Sequence, residues 1–164
     1  VVIKGLVREP GYRTKMAVYS EDPNIDAVGA CVGNRGLRVS NVVAELGGEK
    51  IEIIPWCEDI LEFIARALSP AKVIMVEAND EERSAKVIVK DDMLSLAIGK
   101  DGQNARLAAR LTNWKIDVRP YSSVKNELNE EAGDETAEEG EAPSEERVER
   151  FDDVAEDVKG ADGE

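Results

Sequence analysis

The chain has no histidine among its 164 residues, which removes the usual proton carrier of a Ser–His triad and the commonest ligand of zinc. Its two cysteines, Cys31 and Cys57, stand far apart without the short spacing of a ligand pair, so both read as thiols kept in a reducing compartment. Aromatics are scarce, with two Trp, three Tyr and two Phe, too few for the stacking platform on which many readers of single strands rely. No apolar run approaches the roughly 20 residues of a membrane-spanning helix, and no signal-peptide pattern opens the chain. A cytoplasmic protein without membrane contact is expected. Neither a nucleophile with its base nor a metal-ligating cluster stands out, so the expectation is of no enzyme, no cofactor and no metal site.

One sign of charge is in deficit overall, with 21 Lys and Arg against 35 Asp and Glu. The imbalance is local. Residues 1–120 carry 17 basic and 18 acidic side chains, and residues 121–164 carry 4 and 17. The first 120 residues are therefore close to neutral, free to gather cations on one face, and any polyanion would be held by the placement of charge rather than by bulk attraction.

What the sequence does contain is a repeat built around two glycine-framed turns, Gly33-Asn34-Arg35-Gly36 and Gly99-Lys100-Asp101-Gly102. Glycine lets backbone approach a ligand closely, and the first turn of a following helix leaves N–H donors and a partial positive charge for an anion. Arg35 and Lys100 add whole charges. One G-x-x-G among 13 glycines would mean little, but the surroundings match as well. Val28 to Val32 leads into the first turn as Leu94 to Ile98 leads into the second, and Lys50-Ile51-Glu52-Ile53 answers Lys115-Ile116-Asp117-Val118.

Each unit reads as α+β. Ile3 to Arg8 and Thr14 to Ser20 form a hairpin over Pro10-Gly11, and a short helix runs from about Asp26 to Val32. Val39, Val42, Val43 and Leu46 then fall on one helix face, and Lys50 to Ile54 closes the unit ahead of Pro55. The second unit opens with a helix carrying Ile60, Leu61, Ile64, Ala65 and Leu68, stopped by Ser69-Pro70. Strands Ala71 to Val76 and Ser84 to Lys90 follow. Asp91 is placed to cap the short helix before Gly99. Ala105, Ala108, Ala109 and Thr112 share one helix side while Gln103, Arg106 and Arg110 project oppositely, and Lys115 to Arg119 closes the unit. The first unit lacks an opening helix, and the abrupt strand-like start Val1-Val2-Ile3 suggests a fragment. The expected organisation is a first domain over 1–55, a second over 56–120 and an acidic tail over 121–164. From about Tyr121 apolar residues are too few to offset the entropy of ordering, so the tail reads as disordered, with faint helical spacing from Arg147 to Val158.

A G-x-x-G between two helices flanked by strands resembles the K-homology (KH) RNA-binding domain in its strand-first prokaryotic form, type II, a three-stranded sheet with helices on one face. Leu94 to Thr112, Gly29 to Gly33 and Ala67 to Val73 go further, and the chain resembles the tandem KH region of the NusA family of bacterial transcription factors over residues 1 to about 119. That resemblance implies a cytoplasmic protein that binds nascent single-stranded RNA beside RNA polymerase and modulates pausing, termination and antitermination. It implies one continuous RNA track over both units. Carried across position by position, it implies contacts at Gly33, Asn34, Arg35, Gly36 and Arg38, and at Gly99, Lys100, Asp101, Gly102, Gln103, Asn104 and Arg106. Contact with polymerase would run through domains absent from this chain, and a monomer is expected. The first turn carries Asn34-Arg35 where relatives often have a proline and a variable residue, and the second has Asp101 where Glu is usual.

With so few aromatics the favoured mechanism is a backbone clamp. Turn amides hold phosphates, Arg38, Lys100 and Arg106 neutralise charge, and bases lie against an apolar edge. Other readings stand beside it. Arg106 and Arg110 could be an ordinary solvated helix face, Trp56 and Trp114 are better packing anchors than stacking residues, and Glu58-Asp59 and Asp91-Asp92 suit helix capping better than acid–base work. The tail could be a solubilising linker or a phosphate mimic, and the units could be vestigial KH domains that dock on polymerase or ribosome. On sequence alone, Gly33→Asp with Gly99→Asp is expected to abolish RNA binding and leave the fold intact.

Overall fold

The structure is a computed structural model that describes residues 1–131. The first unit contains β1 (Val2–Glu9), β2 (Arg13–Tyr19), α1 (Ala27–Val32), α2 (Leu37–Glu45) and β3 (Lys50–Pro55). The second contains α3 (Ile60–Ala67), β4 (Val73–Asn79), β5 (Ser84–Val89), α4 (Leu94–Ile98), α5 (Gln103–Thr112), β6 (Lys115–Pro120) and α6 (Tyr121–Glu131). Both sheets have the same topology. A hairpin pairs antiparallel, and the helix pair then carries the chain back so that the closing strand runs parallel to the second strand, β3 beside β2 and β6 beside β5. Arg13 faces Lys50 as Ser84 faces Lys115. Pro55 and Pro120 end their strands from within, which a lost N–H permits because both strands lie on a sheet edge.

The second unit holds the larger core. Ala85, Val87 and Val89 alternate onto one sheet face, where Ile64, Ala67 and Leu68 of the α3 region meet Ala97 of α4 and Ala108 of α5. Completely burying a side chain such as Ile64 or Leu107 contributes roughly 1.5–3 kcal/mol. Among the described residues the first unit has no counterpart of α3 on this face. Met16, Cys31, Val42, Leu46, Ile51 and Ile53 stand where Val87, Ala97, Ala108, Thr112, Ile116 and Val118 stand in the second unit, and they line an open groove of about 350 Å³. The α2 stripe read as a buried face is consequently only half covered, with Val42 50% exposed.

The opposite face of the first sheet is covered by the second unit. Phe63 of α3 packs with Ala17 and Ile54, and Leu111 of α5 joins them. A Cβ on Gly5 would lie 3.0 Å from the Leu111 side chain, so glycine lets β1 approach α5 without displacing that leucine. Lys15, completely buried, donates to Glu52 at 2.6 Å and to the Ser69 carbonyl of the second unit at 2.8 Å. Burial lowers its pKa to about 8 despite Glu52.

Two expectations are corrected. Residues Tyr121–Glu131 are helical rather than disordered. Asp91 does not cap the helix before Gly99. Its carboxylate accepts from the Ser122 amide at 3.0 Å and so caps α6, which is tied down further by Glu127 against Lys86 and Arg119. In sequence α6 offers only Val124 and Leu128 as an apolar pair, so its order is tertiary. The readings of a longer disordered tail and of a helix from Arg147 fall outside the described residues.

Glu49 is the buried acid that closes the first hairpin. It accepts from Arg8 Nε at 2.8 Å, from the Gly11 amide at 2.8 Å and from Thr14 Oγ1 at 2.5 Å. The bond from Arg8, then that from Thr14, hold its pKa at about 2 against an ordinary 4.5. A carboxylate depressed in the fold stabilises it above its unfolded pKa, and that stability drains as pH falls towards the folded value. Thermal melting should therefore lose temperature between pH 4.5 and 2, and Glu49→Gln should start lower and show a shallower decline over the same window.

Candidate nucleic-acid interface

The two turns are built alike to within a few degrees. Gly33 and Gly99 both have φ 77°, Arg35 and Asp101 have φ 53° and 55°, and Gly36 and Gly102 have φ 74° and 72°. Each turn closes with an amide bond back to its first glycine, Gly36 to Gly33 at 3.1 Å and Gly102 to Gly99 at 3.2 Å. The glycines have different jobs. A Cβ on Gly33 would sit 2.7 Å from Arg38 Cγ and 3.0 Å from the Arg38 amide nitrogen, and one on Gly99 would sit 2.8 Å from the Asn104 nitrogen. Gly36 has only the Ser40 hydroxyl, at 3.9 Å, and Gly102 nothing within 4 Å, so these two are required for their left-handed backbone. Arg35 and Asp101 hold that conformation without being glycine, at a cost of roughly 1–2 kcal/mol each. Gly36 and Gly102 are also the N-caps of α2 and α5. A glycine cap has no side chain to fold over the helix start; the Leu37 and Gln103 amides donate back to the Asn34 and Lys100 carbonyls, and no side-chain cap takes up the amides that follow.

Asn34, Arg35, Arg38, Lys100, Asp101 and Arg106 are exposed, and Gln103 and the four glycines are partly so. Neither turn is packed inside the protein. Asn104 is a correction. Its side chain is completely buried, donating to the carbonyls of Ala97 at 2.9 Å and Leu68 at 3.0 Å, so it binds the ends of α3 and α4 to α5 and does not reach the surface. Arg38, two places after the last turn glycine like Asn104, does the same local work with one arm by donating to the Ala30 carbonyl at 2.6 Å.

Sequence reasoning missed Glu9. This last residue of β1 accepts from Gln103 Nε2 at 2.7 Å and Arg106 Nε at 2.6 Å. Arg106, then Gln103, hold its carboxyl below the usual range. Arg106 is thus no free solvated cation. No local signal could have found the contact, because the partners lie 94 and 97 residues away. Of the other open readings, Trp114 is 8% exposed within the second core, and Trp56 packs edge-on to Tyr19 and Phe63 under Lys4. Both are anchors. Asp59 caps α3 through the Leu61 amide.

A glycine-framed turn between two helices, laid on a three-stranded sheet and present twice, defines a protein of two tandem KH domains. Residues 1–56 match the NusA-like first KH domain and residues 60–126 the NusA-like second KH domain. The chain belongs to the NusA-like KH family. It is similar to proteins named transcription termination/antitermination protein NusA. It is 55% identical to that of Halalkalibacterium halodurans over 76% of this chain and 33% of that one. With the Bacillus subtilis protein identity is 54% over 76% and 34%, and with that of Borreliella burgdorferi 48% over 96% and 31%. The chain spans about a third of the length of these relatives. The crystal structure of APE1850 superposes with a TM-score of 0.52 at 20% identity, covering 70% of this chain and 84% of that one, and shares the fold.

The geometry replaces the variants that sequence alone recommends. Gly33→Asp and Gly99→Asp should lower the melting temperature sharply, because no Cβ fits at either place. Gly36→Asp with Gly102→Asp meets open space but a left-handed backbone, so it should lower the melting temperature by less than the Gly33 and Gly99 variants and keep the circular dichroism spectrum, while placing two carboxylates at the helix starts. Asn104→Ala should cost about 1–3 kcal/mol in urea unfolding, since the Ala97 carbonyl loses its side-chain donor and the Leu68 carbonyl keeps only the Ala71 amide.

Proposed function

We propose that this chain binds single-stranded RNA, taking the sugar–phosphate backbone in its two G-x-x-G turns. We further infer that it does so as the RNA-binding part of a transcription termination/antitermination factor. The observation that carries the reading is the pair of exposed turns of matching geometry, each with a cation inside it and a glycine cap that puts no side chain over the helix start. Phosphates would lie on the amides after Gly33 and Gly99, with Asn34, Arg35, Gly36 and Arg38 completing the first site and Lys100, Asp101, Gly102, Gln103 and Arg106 the second. Single strands are favoured because only unpaired bases can turn towards a shallow apolar edge.

The domains are taken as 1–55 and 56–120, the second extended by α6. The names of the relatives support termination and antitermination as the processes affected, and to these we add, as proposals, a nascent transcript as the RNA, an effect on pausing, and the cytoplasm as the place. Contact with RNA polymerase would belong to the two thirds of those relatives that this chain does not span. A single chain is expected to suffice, since each turn is complete within it.

The test is salt-dependent binding to an unstructured RNA of about ten nucleotides, enough for two turns that clamp about four each. Four cations, Arg35, Arg38, Lys100 and Arg106, predict a slope of log affinity on log salt near −3, at about −0.7 per neutralised phosphate. Arg35→Gln with Lys100→Gln should reduce that slope by about 1.4. Measurable binding without a salt slope would instead favour a docking module for protein partners.

A further inference from the structure

Arg106 is held at two points. Its Nη1 donates to the Asp101 carbonyl inside the second turn at 3.1 Å, and its Nε donates to Glu9 Oε1 at 2.6 Å. Gln103 Nε2 donates to the other oxygen, Glu9 Oε2, at 2.7 Å. Glu9 belongs to the first unit, and Gln103 and Arg106 to the first two turns of α5 in the second. One carboxylate therefore reaches across from one KH unit and takes hold of the phosphate-facing helix of the other.

A guanidinium has five N–H donors, and two are occupied here. Three remain, on a side chain that is half exposed, while the Glu9 side chain is 20% exposed. A free arginine surrenders its rotamer freedom when it meets a phosphate, whereas one already fixed between a carbonyl and a carboxylate has little left to surrender. Arg110 adds a further positive charge near Glu9, and Asp101 a negative one near Arg106, so the carboxylate sits among cations and is not a net repulsive charge in isolation.

We propose that Glu9 is a positioning residue for RNA binding, which fixes Gln103 and Arg106 so that the remaining Arg106 donors are set for a phosphate where the two units meet. The second unit's grip then depends on the seating of the first. This rests on the RNA-binding reading above and adds to it a mechanism by which two turns become one site.

The experiment is a double-mutant cycle on the whole chain. Glu9→Gln keeps the shape but exchanges one acceptor for a donor, so it cannot accept from both partners. Affinity for the ten-nucleotide-scale RNA should fall about three- to tenfold, the loss expected when a charge-assisted bond that orients a binding group is broken. The salt slope should stay as it was, because Arg106 keeps its charge. In an Arg106→Gln background the same change should cost much less, leaving only what its bond to Gln103 contributes. Glu9→Asp, which preserves charge at shorter reach, should give an intermediate loss, and carries the test if Glu9→Gln melts early. Tighter binding by Glu9→Gln would mean that the carboxylate competes with phosphate, and an equal loss in both backgrounds would mean a purely structural role. Either result overturns the proposal while leaving the RNA-binding reading standing. Failure of the unmodified chain to bind RNA overturns both.

Discussion

At two places in this protein there is no room for a methyl group. The chain turns from one helix into the next so tightly at Gly33 and Gly99 that the amide nitrogen five residues on lies within 3.0 Å of where a Cβ would stand. The rest of the interface follows from that tightness. Because the second helix begins almost on top of the first glycine, its first amides crowd beside the turn. Because the cap is another glycine, no capping side chain covers them. The intervening residue is forced left-handed, and Arg35 and Asp101 bear that strain, which tends to persist where function requires a fixed geometry.

The same repeat is packed in two ways, and residue size shows it. Where α3 fills the second unit, the facing positions are Ala97, Ala105 and Ala108. Where no such helix lies over the first sheet, the corresponding positions are Cys31, Val39 and Val42, bulkier and half open around a groove. The first unit draws its rigidity from the other side, through Phe63, Leu111 and the buried Lys15–Glu52 pair. Lys15 and Glu52 both belong to the first sheet, and Lys15 ties the pair to the second unit through the Ser69 carbonyl, so breaking this buried pair would also disturb the seat between the units. Glu9 extends that seat to the edge where the second turn begins.

Much of the fold and part of the interface could be read in advance, for a local reason. The strands, the helix pair and both turns are dictated by alternation, by 3.6-residue spacing and by glycine, all of which act within a few residues. The duplication of those signals carried the KH assignment. The misreadings share a different cause. Asn104 looks like a polar neighbour of a binding turn, and only the convergence of Leu68 and Ala97 carbonyls upon it makes it interior. Asp91 caps a helix 31 residues away rather than its own. Tyr121–Glu131 has a thin apolar stripe, and its order comes from Lys86, Asp91 and Arg119.

Sequence by itself determined the turn chemistry, the order of strands and helices in each unit and the near neutrality of the first 120 residues, because glycine conformation, side-chain periodicity and net charge are properties of the chain before it folds. Tertiary structure alone decided which of the polar residues around the turns face outward, that α5 is shared between two sheets, and that a carboxylate from the first hairpin holds an arginine of the second turn. Those depend on distances between residues nearly a hundred positions apart, and such distances exist only once the two units have been packed together.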